Sequence, residues 1–225
     1  MRWLSQLELM SAFQRALGRG EVPVAWSEGF HPHPKLSFGP ALPVGTEGLA
    51  EYMDLEIAAP MSPAEVERRL NGALPEGVVV TEVREILPGV PSLNSLISGY
   101  AYEIRLEGFP LVNLDWKEAI PLPDTLPVTV RRGGNGNGKG EMQTLDLRPY
   151  IEEVRWIAPG RLYLMLKSEQ GKCGRPAEVA AGLFGIPVDA PLRIVRIGLY
   201  ARVAGRWIPP LYDATDRPAV VSRFS

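Results

Sequence analysis

Ser62-Pro63-Ala64-Glu65 constrains this chain more than any other stretch, because it fixes where a helix must begin. A serine at the N-cap, a proline at the first helical position and a glutamate three residues after the serine meet the hydrogen-bonding needs of a helix start. Val66, Leu70 and Leu74 then repeat on one face, and Pro75 and Gly77 close the helix. "VVVTEVREIL" follows as a strand. A helix with one apolar stripe feeding a strand needs a sheet to lie on. Upstream, "AEYMDLEIA" (50–58) alternates as a half-buried strand and "PVAWS" (23–27) reads as a shorter one. Before them, "LSQLELMSAFQRALGRG" reads as a helix, with Ser5 and Glu8 as a capping box. Leu7, Met10, Phe13 or Ala12, and Leu17 share its inner face. The order is α-β-β-α-β. That is a ferredoxin-like β-α-β-β-α-β unit without its first strand, which would lie before Trp3: either the sequence begins inside it or Met1–Ser5 is its remnant.

Residues 88–99, "PGVPSLNSLISG", read as a linker, so residues 1–90 form the first domain. A second domain spans 100–210. It opens on "YAYEIRLEGF", continues with a long hairpin ("LPVTVRR" and "EMQTLDLRPY") around a glycine run, and adds the strand "RLYLMLKS". The helix "RPAEVAAGLFG" and the strand "RIVRIGLYARV" complete it, and 211–225 read as a peripheral tail. The fold class is α+β: a ferredoxin-like N-terminal domain plus a second antiparallel α+β domain.

Composition narrows the function. No apolar run approaches the ~18 residues that span a bilayer, and "MRWLSQLELM" lacks a secretory plan, so no membrane association is expected. The single cysteine, Cys173, excludes an internal disulfide and fits the cytoplasm. One thiol cannot ligate an iron–sulfur cluster. Net charge is −2, but residues 1–100 hold 7 Lys+Arg against 12 Asp+Glu, a net of −5, while the remaining residues hold 17 against 14, a net of +3. A polyanion would therefore meet the second half.

Both histidines lie in "WSEGFHPHPKLSFGPALP" (26–43). In an extended chain residues two apart point the same way, so one ligand could meet His31 and His33 together. A metal would need further donors such as Glu28, Glu47 or Glu51, and general acid–base catalysis would need a partner that the sequence does not identify. The plainer reading is a stiff loop anchored by Phe30 and Phe38, with His31, His33, Lys35 and Ser37 free to recognise a ligand. Gly133, Gly138 and Lys139 satisfy G-x-x-x-x-G-K, but Gly140 replaces the hydroxyl residue and a strand, not a helix, follows. This is a hairpin tip, and Arg131, Arg132 and Lys139 beside it are candidate phosphate contacts. Arg148 and Arg175, each before a proline, could grip an anion or pair with Asp146 or Glu178. Cys173 sits between Lys172 and Gly174 ahead of a helix, but no base for a catalytic thiol is evident. Arg193, Arg196 and Arg202 with Tyr200 read as a strand face, solvated or RNA-binding.

"RWLSQLELMSAFQRAL" followed by "VPVAWSEGFHPHPKLSFGPALPVGTEGLAEYMDLEI", with "LDLRPYIEEV" and "RIVRIGLY" later, closely resembles the radical SAM-linked bacterial proteins over about residues 2–200. That family is a domain of unknown function found alone or fused behind a cobalamin-binding radical SAM enzyme. Members usually read S-H-L-D where this chain has Ser5-Gln6-Leu7-Glu8, and the absence of histidine at Gln6 weakens any metal or catalytic site built on that helix. The resemblance implies a radical SAM enzyme as partner and RNA modification as the theme. The chain has no C-x-x-x-C-x-x-C motif and so cannot itself be the radical enzyme. The leading expectation is a non-catalytic module, without cofactor or metal, that binds RNA or docks the enzyme onto it. The alternatives are a stand-alone enzyme using His31 or His33 on a small anionic substrate, and a protein–protein adaptor.

Overall fold

The computed structural model describes residues 6–86, 89–106, 119–133, 140–210 and 221–224. The proposed remnant Met1–Ser5, the Ser5 cap and Lys139 lie outside them. The chain is of the α+β class and divides into two compact units. One is Met1–Ser98 with Arg196–Ser225, and the other is Gly99–Val195. Both chain crossings fall inside strands, at 98/99 and 195/196. The segment read as a linker holds a helical turn with Leu93 and Ile97 buried.

The first unit begins with α1 (Gln6–Arg19), β1 (Leu36–Phe38), β2 (Thr46–Gly48) and β3 (Met53–Leu55). It continues with α2 (Pro63–Ala73), β4 (Val78–Glu82) and the turn α3 (Leu93–Leu96). Ala12, Phe13, Ala16 and Leu17 are the buried face of α1. Leu7, expected on that face, is 71% exposed. At roughly 100° per residue it lies about 120° around the helix from Phe13, off the stripe. In α2 the Ser62 hydroxyl accepts from the Glu65 amide at 3.3 Å, and Val66 and Leu70 face inward as expected. Asn71 on α2 performs a strand's task. Its amide donates to the Val80 carbonyl at 2.7 Å and its oxygen accepts from the Val80 N–H at 2.8 Å, fastening α2 to β4. Phe13, Leu17, Met53, Val66, Leu70 and Val80 join one core, with the Phe13 and Phe38 rings edge to face at 5.6 Å.

The second unit takes in most of β5 (Ile97–Arg105), then β6 (Pro127–Arg132), β7 (Glu141–Asp146), β8 (Ile151–Ala158), β9 (Arg161–Lys167) and α4 (Pro176–Phe184). β5, β9 and β8 form an antiparallel run, and β6 and β7 are the expected hairpin. β8 is the strand that sequence period misses, because Glu152, Glu153 and Arg155 break its apolar pattern. Leu162, Leu164, Leu166 and Val179 are wholly buried in this unit's core. Gly182 lets α4 lie against β6: a Cβ there would stand 2.6 Å from a Val128 methyl.

β10 (Arg193–Val203) returns the chain to the first unit, pairs with β11 (Arg206–Ile208), and is followed by β12 (Val221–Phe224), which pairs antiparallel with β4. The segment read as a peripheral tail thus contains a strand. Arg196 corrects a further expectation. It is not on a solvated basic face but 1% exposed, with its guanidinium on the carboxylate of Glu51. Nε donates to Glu51 Oε1 at 2.7 Å, Nη2 to Glu51 Oε2 and to Pro40 O at 2.8 Å, and Nη1 to Ala41 O at 3.1 Å. Strand alternation fails as a guide here because Ile194, Val195 and Arg196 are all buried in succession.

Removing one partner strands the other's charge in the core, at a cost of about 3–5 kcal/mol. Arg196→Met is therefore expected to lower chemical stability by that amount. The pair Arg196→Met with Glu51→Leu is expected to lose less than Arg196→Met alone. Urea denaturation of the three proteins checks both expectations.

Candidate functional site

The stretch that holds both histidines is a short hairpin rather than a loose loop. Lys35 N donates to Ala25 O at 2.8 Å and Ser27 N to His33 O at 2.8 Å, and Trp26 bridges Pro34. Prolines 32 and 34 lack an N–H, so the few remaining donors carry the pairing. Gly29 makes the turn with φ +120°, a region that side chains avoid. Ser27 fastens the crossing: its Oγ accepts from the His33 amide at 3.0 Å and lies 2.9 Å from His33 Nδ1. At the tip, Phe30 is fully exposed, and Trp26 is 57% exposed. Phe30, expected as an anchor, is therefore presented to solvent. Phe38, the other expected anchor, does pack on the core.

The hairpin leads directly into a groove of about 310 Å³. His33, Pro34, Lys35, Leu36 and Ser37 line it from one stretch of chain, and Asp54 and Glu56 from the strand paired with that stretch. The lining follows from strand register, because β1 and β3 pair antiparallel with Ser37 opposite Asp54 on one face and Leu36 opposite Leu55 on the other. Period two turns Leu55 into the core and leaves Asp54 facing the groove. Lys35 Nζ is held by Glu56 Oε1 at 2.9 Å. Asp54 is half-buried and accepts the Leu93 N–H. Burial pushes its carboxyl above the ordinary value, and the Leu93 N–H offsets part of that shift. Sequence alternation places Asp54 outward on its strand, but its carboxylate accepts the N–H of Leu93 on α3, in a segment whose composition reads as linker.

The structure thus brings His33, Lys35 and Ser37 together around one space and places His31 beside them on the hairpin. Glu51, weighed as a metal donor, is committed to Arg196. Among the described residues no group of three or more His, Cys, Asp or Glu side chains is placed to hold a metal ion.

The candidate anion contacts of the second unit divide in two. Arg132 is bound to Glu178 through two bonds, at 2.6 and 2.7 Å, with Glu178 buried on α4. Arg148 donates to the carbonyls of Pro123 and Ile151, at 3.1 and 3.3 Å. Neither guanidinium faces solvent unengaged. Asp146, considered as a partner for Arg148's guanidinium, instead accepts the Leu126 and Arg148 amides, which lower its carboxyl below the ordinary value. Arg131 and Arg175 remain exposed, and Arg175 stands 3.9 Å from Glu178 with 64% of its side chain exposed. Cys173 is exposed and outside any disulfide. No helix among the described residues is long and apolar enough to cross a membrane.

Residues 1–176 match the model of a family described as "Uncharacterized protein conserved in bacteria (DUF2344)". No curated protein and no solved structure matches the chain.

A carboxyl whose pKa is raised on folding makes the native state bind more protons than the unfolded chain. Its contribution to stability is complete below the ordinary value of 3.8 and is lost as pH rises through the folded value. Asp54→Asn keeps an acceptor for Leu93 and carries no charge. Its stability relative to wild type is therefore expected to improve as pH rises from about 4 to about 7. Thermal unfolding of the two proteins across that range reads the difference, and a constant gap would contradict it.

Proposed function

We propose, for a chain that belongs to the bacterial family DUF2344, the role of a non-catalytic docking module that serves a radical SAM enzyme acting on RNA. The first unit contacts the enzyme through the Trp26–Pro34 hairpin and the groove beside it. The second unit contributes Arg131 and Arg175 to phosphate contacts. The radical chemistry resides in the partner, and the link to that enzyme class rests on the sequence resemblance given above.

One observation supports this reading above the others: a hydrogen-bonded hairpin holds an aromatic ring, Phe30, wholly in solvent. A hydrogen-bonded turn has its backbone already ordered, so a partner that covers the ring has only the side-chain rotamers left to fix. Aromatic side chains are enriched among residues that dominate protein–protein contacts. Charge favours a protein over RNA at this surface, because two carboxylates and one ammonium line the groove. In the second unit the exposed Arg131 and Arg175 suit a polyanion.

The reading of a stand-alone enzyme draws some support from the 2.9 Å contact of Ser27 Oγ with His33 Nδ1, the pairing of a nucleophile with its base. That hydroxyl also accepts the His33 amide, which fits a hairpin clasp better than a nucleophile.

The test is a titration of the full chain with bulk bacterial tRNA at several salt concentrations, followed by fluorescence anisotropy. Binding at low salt that weakens log-linearly with salt is expected. Replacing Arg131 and Arg175 together by alanine is expected to reduce the slope by about two, one phosphate for each arginine. Absence of binding at low salt, or an unchanged slope in the double variant, contradicts the RNA half of the proposal.

A further inference from the structure

We propose that the groove over the paired strands β1 and β3 receives the side chain of an arginine presented by a protein partner. This rests on the docking role above and assigns its chemistry. The charge of the groove is incompletely balanced from within. Lys35 is 2.9 Å from Glu56, which leaves the second carboxylate, Asp54, with the Leu93 N–H as its hydrogen-bond partner among the described residues. A guanidinium supplies what that carboxylate lacks: a delocalised charge and a planar fork of donors able to meet both oxygens. Ser37 stands opposite Asp54 in the strand register, so its hydroxyl can accept a further N–H. Pro34 also lines the groove and gives the methylene stem an apolar contact. About 310 Å³ lies at the small end of ligand sites, a scale suited to one long side chain rather than a folded peptide.

Phosphate is a poor occupant, because it would bring negative charge to two carboxylates in a half-buried setting. A cation has the opposite effect and relieves the burial of Asp54. Its binding is then coupled to pH: affinity rises as Asp54 loses its proton and falls on acidification. His33, Lys35 and Glu56 face the same space, so the pH dependence belonging to Asp54 is read as the difference from Asp54→Asn. That variant retains an acceptor for Leu93, and its fold is checked by the same spectra.

The experiment is a titration of isotope-labelled full chain with N-acetyl-arginine amide, followed through backbone amide shifts. N-acetyl-citrulline amide, the neutral analogue of the same shape, is titrated in parallel. The expected result is saturable shifts centred on Leu36, Ser37, Leu55 and Glu56, at least about tenfold weaker with citrulline and about tenfold weaker in Asp54→Asn, equivalent to about 1.4 kcal/mol. Wild-type affinity is expected to fall between about pH 7 and about pH 4, with that fall reduced in Asp54→Asn. Equal affinity for the two amides, an unaltered affinity in Asp54→Asn, shifts centred elsewhere, or no shift at tens of millimolar would each overturn the proposal. Shifts of the groove amides by an oligoribonucleotide in place of arginine would also overturn it. The tRNA titration depends on Arg131 and Arg175 and not on Asp54, so the two proposals can fail separately.

Discussion

The architecture of the first unit depends on an arginine from near the end of the chain. Arg196 sits on β10, 145 residues from Glu51, and both are buried. The segment it serves, Gly39–Glu51, joins the two strands that line the groove. That segment carries Pro40 and Pro43, which lack N–H groups and so weaken any ladder of its own. Its carbonyls still need donors. Arg196 supplies them to Pro40 and Ala41 while neutralising Glu51, and its own carbonyl accepts the Leu49 N–H at 2.9 Å. A buried ion pair of this kind contributes little net stability compared with an apolar substitute. Its value here is positional, since it gives a proline-broken connection one conformation.

With that connection fixed, the hairpin and groove follow from local chemistry. Pairing of β1 with β3 sets Ser37 against Asp54, and Gly29 and Ser27 set the turn that presents Phe30. The result is an exposed ring on a fastened turn, next to a small space lined by two carboxylates, one ammonium and one imidazole. His33 is clasped by Ser27, on the same hairpin.

Much of the fold was legible in the sequence because it depends on local rules. The Ser62 cap, the Val66–Leu70 stripe, the β6–β7 hairpin around its glycines and the α4 stripe all appear where their patterns place them. The features that escaped are those decided by distant partners. Arg196 read as one of three surface arginines because nothing within its strand reveals Glu51. Arg132 read as a phosphate contact because Glu178 lies 46 residues away on α4. Asn71 gives no sign in α2 that it completes β4. The candidate site was half legible: His33, Lys35 and Ser37 were drawn from one unusual stretch, while Asp54 and Glu56 were hidden in the alternation of an ordinary strand.

The central claim is that Arg196 and Glu51 hold the 39–51 connection and, through it, the pairing of β1 with β3. Amide hydrogen exchange of Glu51→Ala against wild type tests it most directly. The account predicts faster exchange at Leu49, Gly39 and Glu56, whose amides donate to Arg196, Tyr52 and Lys35, with β5 and β9 amides of the second unit keeping their protection. Unchanged protection of Gly39 and Glu56 in a folded Glu51→Ala protein would contradict it.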